Sequence, residues 1–561
     1  MASTSSTASP STSTSGSGTH PSTFSEPISI LQPLTYSASS CGYCSTVPGS
    51  RSLAKTSKSY GAWAHALSCE MYKDLLDRGW RRSGCYIYKP DMSRTCCPQY
   101  TISLDTSQFK PSRGQRQVLS RFAAFIRDGD RQGQPGWGPP LTSSVDETSV
   151  MQVDEATPPT GDGGEKKGKE KKNKDKDKDK GKGSKGKGKA RAPDADWTEL
   201  VHAGDWTNDA DSPLEHRFEY TLEPASYTDE KFDLYKKYQT QVHHEAESTV
   251  SSKSFKRFLI DTPLELEPTL SSSSSYGSHH ACYRLDGRLI AFAVLDILPR
   301  AVSSVYFVWD PEYAGMSLGK VSALREAAMV KELEAAGAWE GGGGRYMMGY
   351  YIHTCSKMRY KADYQPSFLL DPPTNTYYPW SVCKPRLDAT TSGMTTFSGD
   401  FSPPPAPPLR SSSSTPADPV AQTSPSADDM EAASDPPTLP KPQQPSPAAT
   451  STAPPDEDVA ATNSDSNSDL SPPSDSVSDE EEEEDPELDT DFPSPPPPGC
   501  LDPNNLPIEL LAEMFVIQRR TLMPFLLSDA WRDADMQREA RELLATVGEA
   551  GRKRLAIFFG R

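Results

Sequence analysis

Two long stretches of this chain cannot build a core, and they limit how much of it can fold. Residues 131–196 end in a Lys/Gly/Asp run from Glu165 to Arg191. Residues 391–503 are rich in Pro, Ser and acidic side chains, with an unbroken acidic run from Glu480 to Asp485. Such segments bury too little apolar surface to offset the entropy of ordering. Together with a Ser/Thr-rich tail over 1–33, they leave three intervals of mixed apolar and aromatic sequence: 34–130, 197–390 and 504–561. The 52 prolines and the 35% hydrophobic content sit with this division, so two folded bodies and a tail are expected rather than one domain per stretch of length. The lysine-rich run reads either as a solvated tether or as a nuclear or RNA-attracting tail.

The formal net charge of −18 speaks against a nucleic-acid partner only if taken for the whole chain. The acidity concentrates in 455–490, whereas the intervals that look folded carry many Lys and Arg. The N-terminus has no Arg before Arg51 and no apolar h-region, which disfavours secretory and mitochondrial signals. The longest apolar stretch, Leu289 to Trp309, is broken by Asp296, Pro299 and Arg300, so no membrane span is expected. A cytosolic or nuclear setting keeps thiols reduced, and the ten cysteines then read as ligands or core residues rather than disulfides.

Local pattern gives a mixed α/β reading. Thr228 can cap a helix with Asp229 and Glu230 in its first turn, and Phe232, Tyr235, Tyr238 and Val242 follow at helical spacing. Leu289–Leu295 and Val302–Trp309 are β-rich runs joined through Leu298, Pro299 and Arg300, which suits adjacent buried strands. Leu318 to Leu333 reads as a helix stopped by the glycines at 341–344, and Tyr346–His353 as a third strand. Strand, strand, helix and strand on one sheet suggest an α/β (α+β) acyltransferase-like core. The runs Glu509–Arg519 and Asp535–Leu544 make 504–561 a helical tail that docks on that body.

Several motifs carry chemistry. Cys41-Gly42-Tyr43-Cys44 is a C-x-x-C knuckle, and Cys96-Cys97-Pro98 returns about fifty residues later. Four thiolates from two loops suit one metal ion or cluster, the alternative being free or redox-active thiols. Cys69 and Cys85 lie among aromatics and read as core. Tyr60–His65, Asp77–Gly84 and Tyr86–Pro90 interleave basic and aromatic residues, which fits either an RNA surface or a small aromatic core. In Tyr351–Lys361, an extended chain would place Lys357, Arg359 and Lys361 on one face, for a phosphate or carboxylate or as a soluble strand edge. Gly315–Lys320 fails as a phosphate loop, because its glycines are too close and Val321 follows the lysine. Asp296, late in an apolar strand, either pairs with a residue such as Arg300 or faces a site.

Taken together, these segments resemble the eukaryotic, fungal-like arginyl-tRNA–protein transferase family. The resemblance rests on Cys41–Cys44, Tyr60–His65, Asp77–Gly84, Tyr88–Pro90 and Thr95–Tyr100 in the first interval. In the second it rests on Tyr283–Gly287, Asp296–Pro299, Ser303–Tyr306, Ser317–Gly319, Ser322–Glu326, Tyr351–His353 and Lys357–Lys361. Ser356 stands where the family usually has proline, and the lysine-rich linker and acidic insert are additions. The resemblance implies a GNAT-like core that uses aminoacyl-tRNA in place of acetyl-CoA. It implies acceptors with N-terminal Asp, Glu or oxidised Cys, marked by arginylation for N-degron-dependent, ubiquitin-mediated degradation. It also implies an iron–sulfur cluster or zinc on Cys41, Cys44, Cys96 and Cys97. The expected site assigns Asp296 to the donor arginine or the attacking amine, and Lys357, Arg359 and Lys361 to the acidic acceptor or the tRNA end, with His353 and Tyr360 as secondary members. A CoA-dependent N-acyltransferase would need a glycine loop where Ser317-Leu318-Gly319-Lys320 stands. A non-catalytic, metal-dependent RNA-binding adaptor would leave the acyltransferase-like body without a purpose.

Overall fold

The strand pattern expected for 289–309 is where the fold is built. A computed structural model describes residues 27–45, 51–129, 197–205, 214–271, 274–390, 392–399 and 491–560, all within one compact unit. In chain order the strands are β1 (Ser29–Ser39), β2 (Ser57–Ala66), β3 (Arg81–Ser83), β4 (Tyr86–Pro90), β5 (Tyr100–Asp105), β6 (Phe218–Pro224), β7 (Glu267–Pro268) and β8 (Ser275–Leu285). They continue as β9 (Arg288–Leu298), β10 (Ala301–Trp309), β11 (Arg345–Tyr351), β12 (Ser367–Asp371), β13 (Thr376–Pro379), β14 (Phe515–Gln518), β15 (Thr521–Pro524) and β16 (Leu555–Ile557). The helices are α1 (Cys69–Leu76), α2 (Arg113–Asp128), α3 (Trp197–His202), α4 (Asp229–Gln241), α5 (Ser252–Phe255), α6 (Leu318–Ala335), α7 (Ser356–Arg359), α8 (Trp380–Ala389), α9 (Ile508–Ala512) and α10 (Ala534–Val547).

Two sheets form. The larger runs β13-β12-β5-β11-β10-β9-β8-β6, with β7 added to β8; the smaller runs β15-β14-β16-β1-β2-β4-β3. The hairpin β8–β9 turns at Asp286 and Gly287, both at positive φ, as a tight primed turn requires. β9 and β10 pair antiparallel through Pro299 and Arg300, so the two runs are adjacent as expected. Helix α6 then carries the chain over to β11, which pairs with β10 in parallel over Ala301–Ser303 and Arg345–Met347. The Thr228 cap is present, its hydroxyl accepting from the Lys231 amide at 3.2 Å, and Tyr235 and Tyr238 face the core.

The intervals separated by composition share their sheets. β5, from the first interval, lies between β12 and β11 of the second. The stretch 504–561 contains the helix expected over Asp535–Leu544 as α10, but of the run Glu509–Arg519 only the start is helical, as α9, and the rest becomes β14; the stretch also supplies β15 and β16, the last pairing in parallel with β1. These strands are three or four residues long, too short for a periodicity of two to stand out from the helix formers around them. β1 begins at Ser29, inside the expected tail, and Phe397 and Phe492 on the flanks of the acidic stretch pack into the core. The lysine-rich linker and the acidic run lie outside the described residues. Among the described residues no helix is long and apolar enough to cross a membrane.

Candidate functional site

The four cysteines come together from the loop after β1 and the loop before β5. Their sulfur atoms all lie within 4.8 Å of one another, and Cys44 Sγ is 3.7 Å from Cys96 Sγ. Four ligands at about 2.3 Å around a tetrahedral ion would stand roughly 3.8 Å apart, so the spacing fits one shared centre. The donors are all sulfur, which suits zinc or an iron–sulfur cluster and not a hard cation such as Mg²⁺ or Ca²⁺. Two hydrogen bonds from outside the four thiols reach this cluster. The Tyr43 amide donates to Cys41 Sγ at 3.4 Å, and Thr56 Oγ1 donates to Cys96 Sγ at 3.1 Å. Burial pushes the Cys41 thiol up, but the Tyr43 amide and the neighbouring thiols outweigh it and bring the net shift below the ordinary value.

The buried side of this centre packs on the segment that follows β11. Cys41 and Cys97 contact Ile352 and Cys355, with Tyr43 and Met358 beside them. Ile352, Cys355 and Met358 recur every third residue, and that spacing shapes the backbone. The Cys355 amide bonds the Ile352 carbonyl and the Met358 amide bonds the Cys355 carbonyl. The segment is therefore α7 and a following 3-10 turn over Tyr360–Asp363, and the extended strand edge expected for Lys357, Arg359 and Lys361 is not formed. The three cations do not share a face. Lys357 and Arg359 are exposed on α7, whereas Lys361 turns inward and donates to the Tyr350 carbonyl at 2.7 Å. Tyr360 is half-buried against the core. His353 Nδ1 lies 2.8 Å from the Tyr351 hydroxyl, and Nε2 approaches Asp388 of α8 at 3.3 Å. Burial lowers the His353 pKa against the opposing pull of Asp388.

Asp296 is fully enclosed, and its partner is Arg82 rather than Arg300. Arg82 Nε and Nη2 reach its two oxygens at 2.8 and 2.7 Å, and Ser278 Oγ donates at 2.7 Å. The carboxylate expected to meet the donor arginine instead closes a buried, bidentate ion pair between β3 and β9. Burial alone would lower the Arg82 pKa, but Asp296 holds it above its ordinary value. The turn that presents Arg82 depends on Gly84, at φ +60°, where a Cβ would collide with the Arg257 carbonyl oxygen.

Arg81, on the other face of β3, is also buried. Its guanidinium donates to the carbonyls of Trp80 and Gly349 and lies over the Tyr350 ring at 4.9 Å, and its Nε has no hydrogen-bond partner. Among the described residues neither Arg81 nor Lys361 has a carboxylate within ion-pair distance. Cys355 and Asp388 were not singled out in the sequence, and Lys361 was, but not as a neighbour of Arg81. The repeat 352/355/358 and the double arginine were the available signals.

The site is thus a four-cysteine cluster docked on a cationic turn at the end of a mixed sheet, and comparison with known proteins identifies the class of protein that carries it. Residues 39–117 match the family model for the arginine-tRNA-protein transferase N terminus, and residues 230–371 match that for its C terminus. Arginyl-tRNA–protein transferase 2 of Arabidopsis thaliana is 31% identical over 473 residues, covering 64% of this chain and 76% of that protein. Arginyl-tRNA–protein transferase 1 of Drosophila melanogaster is 32% identical, covering 64% and 84%. A bacterial aspartate/glutamate leucyltransferase, from Pseudomonas fluorescens, is 34% identical over 163 residues, covering 28% of this chain and 60% of its own length. The chain belongs to the arginyl-tRNA–protein transferase family, the aminoacyltransferases that the sequence motifs pointed to.

Proposed function

We propose that this protein transfers arginine from Arg-tRNA to the N-terminal α-amine of proteins that begin with Asp, Glu or oxidised Cys, marking them for degradation. The observation that carries the acceptor class is the turn after β11. It carries Lys357 and Arg359 on its surface, with Arg359 close enough to His353 and Tyr351 to act on both electrostatically, inside the segment matched to the family's C terminus. An acidic first residue brings a carboxylate next to its own ammonium group, and charge-assisted bonds from Arg and Lys offset its desolvation. The bacterial relative named for aspartate and glutamate supports the same class.

A GNAT-like arrangement suits the core. β10 and β11 pair in parallel over three residues only, β10 carries a bulge between Ser304 and Tyr306, and α6 connects them. The ester of aminoacyl-tRNA is already activated, so positioning and stabilisation of the oxyanion supply most of the rate. Cys41, Cys44, Cys96 and Cys97 would hold zinc or an iron–sulfur cluster, which supplies cross-linking of the two loops against Ile352–Met358. Asp296 serves by fixing Arg82 and, through it, β3.

Purified protein with labelled Arg-tRNA should transfer label to a peptide starting with Asp and far less to the same peptide starting with Ala. No transfer to either would refute the reading. Metal analysis after anaerobic purification separates zinc from iron and sulfide, and Cys96→Ser with full metal stoichiometry would exclude the shared centre.

A further inference from the structure

β4 carries a buried lysine that no carboxylate meets. Lys89 is 5% exposed, and its Nζ donates to the Arg78 carbonyl. Among the described residues it forms no ion pair. Asp91, which acts on it from further off, is engaged by Arg94 at 2.9 Å. A buried ammonium with a single carbonyl for a partner is costly, because most of its donors stay unused.

A recess opens at this point, between β4, β5 and the turn after β12, with a volume of about 300 Å³, part of it open solvent. Lys89, Gln99, Thr101, Asn375 and Pro498 are among the residues that line it. The amine stands at the wall itself, since a Cβ on Gly79, another lining residue, would lie 3.6 Å from Nζ. Two more polar atoms of these residues are unsatisfied. Thr101 Oγ1, on a residue 1% exposed, and Asn375 Oδ1 are buried without a hydrogen-bond partner. Thr101 pairs with Tyr350, and directly opposed residues share a face of the sheet. Tyr350 donates to the Gly79 carbonyl at 2.9 Å, so the Thr101 side chain leaves β5 on the face that Gly79 covers. Asn375 is oriented by its other end, where Nδ2 donates to the Gly499 carbonyl at 3.1 Å. Gln99, 7% exposed, makes no side-chain hydrogen bond among the described residues. Unmatched buried polar groups gathered in one place call for an ion or ligand that completes them.

We propose that this recess binds free inorganic phosphate, with Lys89 Nζ meeting a charged oxygen, Asn375 Oδ1 accepting from the P–OH, and Thr101 and Gln99 completing the hydrogen bonds. Lysine serves phosphate as a point charge, and Asn375 Oδ1 requires a donor. Free phosphate supplies both at neutral pH, because it keeps a P–OH beside its charged oxygens. Sulfate and dianionic phosphate monoesters bring the charge without the donor. The enclosed space suits an ion of a few atoms and not a nucleotide. The bound ion joins β4 of the smaller sheet to β5 and the β12–β13 turn of the larger, beside Pro498. The site is independent of the arginyl-transfer reading.

The test melts the full, metal-containing chain in inorganic phosphate, sulfate or glycerol phosphate at equal ionic strength. The melting temperature should rise with phosphate and saturate, as binding to the folded state requires. Sulfate and glycerol phosphate should need at least about tenfold higher concentration, because each leaves Asn375 Oδ1 unpaired. Lys89→Met and Asn375→Leu should each weaken the phosphate response by about tenfold or more, whereas Arg359→Ala, on the exposed helix α7, should leave it unchanged. Equal responses to the three anions would mean adventitious ion binding only and overturn the proposal, as would a full phosphate response in Lys89→Met. Loss of the response in Arg359→Ala would place the ion on α7 and overturn it too. If neither recess variant folds, the order of the three anions on the wild type decides. No tRNA enters this measurement, so its failure leaves the arginyl-transfer reading standing.

Discussion

Arg81 and Arg82 sit side by side on β3, and their side chains leave the strand on opposite faces. On one face Arg82 meets Asp296 in bidentate contact, and Ser278 completes the set of hydrogen bonds. On the other face Arg81 meets carbonyl oxygens, the ring of Tyr350 and the inward-turned Lys361. The residues are the same type, equally buried, and one position apart. What separates them is the source of the counter-charge. The Arg82 face is closed by the protein itself and works as a brace between the smaller sheet and β9. The Arg81 face is left electrostatically open, which a fold tolerates only where a ligand or a lost proton settles the balance.

The sharpest way to break this contrast is to open the closed face. Asp296→Ala leaves Arg82 buried without a partner and should cost roughly 3–5 kcal/mol in denaturant-induced unfolding. Replacing both partners by apolar residues, Arg82→Met with Asp296→Leu, should recover most of that loss. A single variant as stable as wild type would show that the pair is not a brace.

Next in size is the exposed helix α7. Arg359→Ala should reduce transfer to Asp- and Glu-initiated peptides by about a hundredfold, the equivalent of roughly 2–4 kcal/mol for a lost charge-assisted partner. If Arg359 instead grips tRNA phosphates, the variant loses Arg-tRNA affinity, and added salt weakens wild-type binding in parallel. Unchanged tRNA affinity, peptide KM and turnover would return α7 to a solvated surface.

Smaller in stability, but more telling, is Arg81→Met. Removing this guanidinium takes a positive charge away from Lys361 and favours its protonated form. Unfolding should change by no more than about 1 kcal/mol, since no carboxylate is stranded. A stability loss equal to that of Asp296→Ala would erase the difference between the two faces.

Much of this was legible in the sequence, and the failures have physical causes. The β9–β10 hairpin, α4 with its Thr228 cap, and α6 were readable because local pattern and burial agree there. The four cysteines were readable because C-x-x-C followed by a vicinal pair has few other uses in a reduced protein. The partner of Asp296 was not, since Arg82 is 214 positions away and only the tertiary fold joins them. The alternation of Lys357, Arg359 and Lys361 misled because the period of three in Ile352, Cys355 and Met358, which packs on the cysteine centre, governs the backbone. The strands of the C-terminal stretch were hidden because pairing with β1 overrides the propensity of so few residues.

The smallest expected effect comes from a charge that is closed like Arg82 but exposed to solvent. His202 ends α3, and its ring nitrogens reach Asp205 and Glu332 of α6 at 2.7 Å each. The hydrogen bonds to Asp205 and then Glu332 raise its pKa to about 9 in the folded protein, above the ordinary unfolded value of about 6.5. The folded state therefore holds a proton more tightly than the unfolded chain. The resulting stabilisation is complete below about pH 6.5 and disappears as pH rises through about 9. Its size is limited because the imidazole is 42% exposed, and solvent-screened pairs of this kind contribute below about 1 kcal/mol. Melting His202→Gln beside the wild type across this range should show a gap that narrows steadily as pH rises. A gap that stays constant, or widens, would mean that α3 is held to α6 by packing alone, and that full compensation of a charge stabilises this protein only where water is excluded.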